Sequence, residues 1–473
     1  MTAPLTQGAG DAGEHPARRD RDRALRRDTA LVAVGQLAAV VSAFLVTVVG
    51  ARVLSVDKFG ALSWALSWLT FLAVLAQFGL TQVATIVVAQ QPRRTHGSLL
   101  GQLLLAQAVG VVVTAVLWQW VVGPATATAG TPPGAYRPLV LLVTLWLPAA
   151  ALGPVLVNVL RARDRFGLAL GFGEHVRRVV LVVVLLCLAA AAAAPAARTA
   201  LEWTVAVETA VYLACLLLLT RVVAPGGNGR HAVGRDVPGE PTAAAPPGGA
   251  GVPDLGGSPW RLLRSGSTFT LATLASVTVP QAGVWLLAVV AAVEDVAIFS
   301  VAVRIAVLVA VPTAIGMRTL APRIAAASSS GRLAALEEPV RRFAVWSTAV
   351  TLLAVVVLAA AGQVLLPALF GAEYGAALAP ALVMCAGVLV NAWTGPCSVV
   401  LSHAGRQGIV ATSALVSSLS FAGLAIWWGG AWGGTGVAAA AAVAMSLRNL
   451  HLAWAAHRTL GIRTIALPAR RGK

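Results

Sequence analysis

Arg18–Arg27 reads RRDRDRALRR, and one residue later the chain passes into Thr29–Gly50, TALVAVGQLAAVVSAFLVTVVG. Those uncharged residues, at a helical rise of 1.5 Å each, are long enough to cross a hydrocarbon core of about 30 Å. They are also too many for the apolar region of a cleaved secretory signal, which runs to roughly 7–15 residues. The stretch therefore predicts a retained first transmembrane helix with its basic flank on the cytoplasmic side.

The same pattern recurs outward from it. Of 473 residues, 58% are hydrophobic and 11% charged, with a mean hydropathy of +0.81. Soluble domains carry roughly 25% charged residues, so this chain cannot solvate a globule of its size. Lipid satisfies no backbone N–H or C=O, which leaves helices as the spanning elements. Apolar runs predict twelve of them, at 29–50, 60–82, 98–122, 138–160, 174–194, 201–222, 266–290, 295–318, 343–366, 376–401, 408–429 and 434–457. An even number puts both termini on one side.

Arginine and lysine decide which side. With a cytoplasmic N-terminus, the inner segments hold 27 of the 35 basic residues. The outer segments hold four, Arg52, Lys58, Arg137 and Arg198, and Arg177, Arg178, Arg304 and Arg448 fall within helices. A miscount by one helix would scramble that asymmetry, so helix number and orientation support each other. The net charge of +17 is thus a topology signal in short loops and helix ends, and nucleic acid is not an expected partner. Cys187, Cys215, Cys385 and Cys397 all fall in apolar runs and read as small hydrophobes rather than a disulfide framework. No Walker loop or metal-ligand cluster occurs, and no cofactor is expected.

Between Pro225 and Pro259 the composition turns to Gly, Pro and Ala, which cannot bury a core. The expected organisation is a basic cytoplasmic tail at 1–28, a six-helix bundle at 29–224, a disordered cytoplasmic linker at 225–259, a second six-helix bundle at 260–460 and a basic tail at 461–473. The halves look like repeats. Val56-Asp-Lys-Phe-Gly-Ala-Leu-Ser63 enters the second span, and Val293-Glu-Asp-Val-Ala-Ile-Phe-Ser300 enters the eighth with the same order of side-chain types. Six helices per repeat gives parallel repeats related by a pseudo-two-fold along the membrane normal, an arrangement that leaves a central cavity between bundles. The predicted fold class is all-α integral membrane.

Several junctions together resemble one family, the Wzx-type polysaccharide and lipid-linked oligosaccharide flippases of the multidrug/oligosaccharidyl-lipid/polysaccharide exporter superfamily. They are Ala51–Gly60 (ARVLSVDKFG), Gln77-Phe-Gly-Leu80, Val293–Arg304 with Pro322 closing the segment after the eighth span, and Leu369-Phe-Gly-Ala-Glu-Tyr374. The resemblance covers Thr29 to Gly461. It departs at Gly283, where the pattern often carries an aspartate, so no role of that carboxylate is carried over. The resemblance implies alternating access that moves an undecaprenyl-diphosphate-linked glycan to the outer leaflet of the plasma membrane, for cell-surface polysaccharide synthesis. It also implies membrane lipids, and the glycosyltransferases and polymerase of one pathway, as partners.

A diphosphate cargo calls for guanidinium forks in a wet cavity, and charges inside a membrane demand explanation. Arg304 lies about nine residues, or ~14 Å, into the eighth span, near the midplane. It reads as a cavity-facing substrate contact or as one half of an interhelical pair. Arg448, with His451 a turn later, offers a second contact or a snorkelling cation. Arg177 and Arg178 stand near the inner end of the fifth span beside His175. Glu174 at i−4 from Arg178 makes snorkelling or pairing there an alternative to a polar vestibule. Arg52, interfacial by position, remains a weaker candidate through its junction motif. Glu208, about seven residues or ~10 Å into the sixth span, could carry a coupling cation or pair with an arginine. Trp64 and Trp68 share a helix face, where packing or sugar stacking would suit them.

A cation-coupled drug exporter of the same superfamily is the alternative, weakened by the absence of any acidic residue in Thr29–Gly50. A membrane glycosyltransferase or polymerase would need acid–base groups in outer loops. The longest, Gly123–Tyr136, has no carboxylate, histidine, lysine or arginine, and the protein is not expected to be an enzyme.

Overall fold

The computed structural model describes residues 16–81, 83–84, 96–128, 137–161, 168–169, 172, 174–190, 197–223, 274, 281–329 and 332–466. The expected linker at 225–259 lies outside them. Helices account for nearly all of these residues, with no strand among them. In chain order they are α1 (Pro16–Val53), α2 (Val56–Gln77), α3 (His96–Thr128), α4 (Arg137–Arg161), α5 (Glu174–Ala190) and α6 (Ala197–Val223). The second half holds α7 (Gln281–Val290), α8 (Val293–Ser329), α9 (Glu337–Phe370), α10 (Leu378–Thr394), α11 (Cys397–His403) and α12 (Gln407–Leu460).

Seven of the described helical segments are long and apolar enough to cross a membrane, and Leu37–Val53, Arg178–Cys187 and Gln281–Val290 are shorter apolar helices. The chain is a multi-pass membrane protein. Wherever an expected span falls on described residues it is mainly helical, although the boundaries differ in instructive ways. α1 begins at Pro16, inside the stretch read as a tail, with proline in the first turn where its missing N–H is no loss. The eighth span runs on through Pro322 to Ser329. The tenth breaks at Gly395, whose φ of 71° and ψ of −164° leave the helical region, and Pro396 follows it.

The last two expected spans form α12 without a loop between them. Gly433, at φ 57° and ψ −138°, reverses the chain. A methyl on Gly436 would lie 2.0 Å from the Trp428 carbonyl oxygen, so only glycine lets the arms meet this tightly. Farther down the hairpin Ser417 Oγ donates to Ala444 O at 3.0 Å. Small residues then line the inner face of the second arm, where Gly387 of α10 lies so close that an added Cβ would sit 2.8 Å from Ala442 Cα. Close helix approach through small side chains is how membrane helices gain packing without a hydrophobic driving force.

Tryptophans mark the two ends of the bundle. Trp427 and Trp432 are exposed at the hairpin tip, and Trp346 and Trp454 are exposed toward the other end. Trp454 lies twenty residues beyond Gly434, about 30 Å at helical rise, which matches a hydrocarbon thickness. Cys215, Cys385 and Cys397 are buried and Cys187 is exposed, all of them free thiols.

Helices α1–α6 form one lobe and α7–α12 the other. Within the first, α1 packs on α5 and α2 on α3 and α4; within the second, α10 packs on α8, α9 and α12. Between them, α2 lies against α8 and α1 against α8 and α9. The repeat motifs meet at this seam: an added Cβ on Gly60 would lie 2.3 Å from the carbonyl oxygen of Val293. Gly60 and Val293 belong to the two stretches that the sequence pairs as equivalents, as expected if the lobes are related by a pseudo-two-fold through their contact.

Candidate functional site

Because α2 and α8 start together at the seam, equal numbers of residues along them reach about equal depth at 1.5 Å each. Trp68 and Phe71 of α2 therefore stand roughly 12–17 Å below Gly60, and Arg304 of α8 roughly 17 Å below Val293. The seam at this depth is aromatic. Trp68 stacks on Trp285 of α7 with centroids 4.1 Å apart, and Phe71 meets Trp285 edge-on at 4.7 Å. Trp285 Nε1 donates to Ser67 Oγ at 2.9 Å, tying the lobes together. Behind this pair, Trp118 of α3 approaches Trp68 at 4.8 Å and donates to Val140 O at 3.2 Å. Trp64 is buried against Trp118, so it serves packing, whereas Trp68 faces the other lobe and its buried Nε1 finds no acceptor among the described residues.

Arg304 is half-buried on α8. Val307 and Leu308, three and four residues on, are exposed on the same side of a helix whose other sides pack against both lobes. Gly283, where the resembled pattern often carries an aspartate, has Phe299 Cε1 and Cζ 2.9 Å from an added Cβ. The space a carboxylate would need there is filled by a ring.

The other expected site residues are dispersed. Arg448 is half-buried on the inner side of the second arm of α12, beside Cys397, and its Nε has no partner among the described residues. His451 instead lies on the exposed stripe with Leu447, Leu450 and Trp454; its Nδ1 lies 2.8 Å from Ser413 Oγ and its ring stacks on Trp454. Arg178 donates from Nη1 to the Ala39 carbonyl oxygen, binding α5 to α1 within the first lobe. The side chains of Glu174, His175, Arg177 and Glu208 lie outside the described residues, although their helices are present.

Arg52 makes the most extended contact. Its Nε donates to Leu369 O at 3.0 Å and its Nη2 to Ala368 O, the last carbonyls of α9 in the opposite lobe. Around it Phe44 meets Phe370 edge-on at 5.8 Å, and Phe59 meets Tyr374 at 6.0 Å. Sequence reading missed these partners. Trp285 likewise carried no sequence signal beyond being a tryptophan in an apolar run.

The structure resembles that of the lipid II flippase MurJ in an inward closed conformation, with TM-score 0.64 and 12% identity over 90% of this chain and 87% of that one. An inward-facing multidrug resistance MATE family transporter of the MOP superfamily matches at TM-score 0.63 and 14% identity, covering 91% and 98% of the two chains. The fold is shared with both of these transporters. A eukaryotic MATE transporter agrees, at TM-score 0.62 and 14% identity over 92% and 96%. The family model described as polysaccharide biosynthesis protein matches residues 25–129, which span α1, α2 and α3. No curated protein matches by sequence. The all-α reading from composition therefore agrees with the structure.

Proposed function

We propose that this protein flips a polyprenyl-diphosphate-linked glycan from the cytoplasmic to the outer leaflet by alternating access of its two lobes, with both termini cytoplasmic. The observation that carries this reading is Arg304, a guanidinium at midplane depth on a helix of the interlobe seam, within a fold shared with a lipid II flippase. A guanidinium fork matches phosphate oxygens bidentately. Arg448, half-buried in the second lobe, offers a further cation for the diphosphate or its glycan, with His451 as a more peripheral contributor. Glu208 is the candidate carrier of a coupling cation. The glycosyltransferases and polymerase of the same pathway are the partners in this reading, which the polysaccharide family match over the first three helices supports.

Drug export is the second reading, favoured by the MATE neighbours. Reconstitution separates the two. Purified protein in vesicles should move a fluorescent polyprenyl-diphosphate glycan between leaflets, as scored by loss of access to an impermeant sugar oxidant. Transport of cationic dyes without flipping of the glycan lipid would establish the exporter reading instead.

A further inference from the structure

We infer that Arg52 is an interlobe latch: it holds the lobes closed at the end of the bundle that carries the α1–α2 junction, by capping the C-terminus of α9. This rests on the alternating-access reading above. The last carbonyls of a helix have no intrahelical donor and carry the negative end of its dipole. α9 is 34 residues long and ends at Gly371, whose φ of 121° turns the chain out of the helix. Gly371 N–H satisfies Pro367 O, and the next two carbonyls, of Ala368 and Leu369, are the ones that the two nitrogens of Arg52 engage.

The surroundings are those of a closed end. The edge-on pairs Phe44–Phe370 and Phe59–Tyr374 and the contact of Gly60 with Val293 all join the lobes beside the latch. Tyr374 is 1% exposed and its buried hydroxyl has no partner among the described residues, so this ring plugs the end by packing alone. The guanidinium thus supplies the directional contacts, and they are made only while α1 and α9 lie together. A residue that binds main-chain carbonyls of the far lobe cannot at the same time bind cargo, which separates Arg52 from Arg304.

The test uses a cysteine-free background and two reporters. Ser55→Cys, at the exposed junction, defines by its reaction with an impermeant maleimide which membrane face is the junction face. Ser67→Cys, buried at the seam against Trp285, reports parting of the lobes from that same face. Because the face is found rather than assumed, an inverted topology would correct the orientation proposed above without touching the latch. With Arg52 present, Ser67→Cys should react slowly. Arg52→Ala should raise its rate about tenfold, the change that roughly 1.4 kcal/mol makes in an equilibrium. Arg52→Lys keeps a cation at the helix end without the second donor, so it should fall between the two, and it replaces the alanine variant if that one fails to accumulate. Unchanged Ser67→Cys reactivity in folded Arg52→Ala or Arg52→Lys protein would overturn the latch.

Discussion

Replacing Gly60 with alanine probes the contact on which the two lobes are aligned. The new methyl would lie 2.3 Å from Val293 O and 2.9 Å from Val293 Cγ1. Carbon–oxygen contacts settle near 3.3–3.6 Å, so the seam must widen by about 1 Å against main chain that cannot swing aside. Overpacking of this kind costs about 1–3 kcal/mol, offset by about 1 kcal/mol from the better helix propensity of alanine. Gly101→Ala is the matched control, because nothing lies within 4 Å of its added Cβ and only the propensity gain remains. The difference between the two variants isolates the clash. Apparent melting of the purified proteins in detergent should place Gly60→Ala below Gly101→Ala by several degrees, at roughly 2–4 °C per kcal/mol for bundles of this size. Relief by parting of the lobes would instead raise the reactivity of Ser67→Cys from the junction face. Equal melting of the two variants, with seam reactivity unchanged, would refute the close approach.

Gly436→Ala puts a methyl 2.0 Å from Trp428 O inside the terminal hairpin, so the arms of α12 cannot close and the variant should be largely lost from the membrane fraction, as read by immunoblot; wild-type abundance would show that the reversal is looser than described. Arg178→Met keeps the apolar stem and removes the bond to Ala39 O; loss of a charge-assisted bond worth about 1.5–3 kcal/mol should lower the melting temperature while flipping by the protein that remains persists. A melt like that of the wild type would release Arg178 from its structural role and return it to the substrate contacts.

Helix positions were legible because apolar length and arginine placement are composition-level signals that no tertiary context overrides. The repeat was legible too: matching Val56–Ser63 with Val293–Ser300 singled out two stretches that abut through Gly60 and Val293. Boundaries were less so. The glycines from Gly429 to Gly436 separate two expected spans, but the sequence does not say that the arms join without a loop and stay in contact there. Pro16 opening a helix across the arginine cluster was hidden by charge density, which reads equally as a solvated tail.

The candidate site was legible only in part, for a physical reason. A guanidinium advertises itself in an apolar run, as Arg304 and Arg448 do, but its partner need not. Arg52 bonds to carbonyls 316 and 317 residues away, and every residue type supplies a carbonyl. The Trp68–Trp285 stack joins two lobes through rings whose spacing in sequence carries no periodic signal. Gly283 shows the converse, since its packing against Phe299 explains a departure from the family pattern that the sequence alone leaves bare.

Arg304 bears the central claim, because a guanidinium near the midplane costs about 2.5–3.5 kcal/mol on insertion scales. Lipid-linked glycan on the cytoplasmic face, measured beside protein abundance, decides what offsets that cost. If substrate diphosphate is the partner, Arg304→Ala should insert at normal abundance and accumulate the glycan lipid inside, and Arg304→Lys, which lacks the bidentate fork, should transport poorly. If a structural carboxylate such as Glu208 is the partner, Arg304→Ala should lose abundance and the double variant with Glu208→Gln should regain it. Normal glycan flipping by an abundant Arg304→Ala protein would contradict the account.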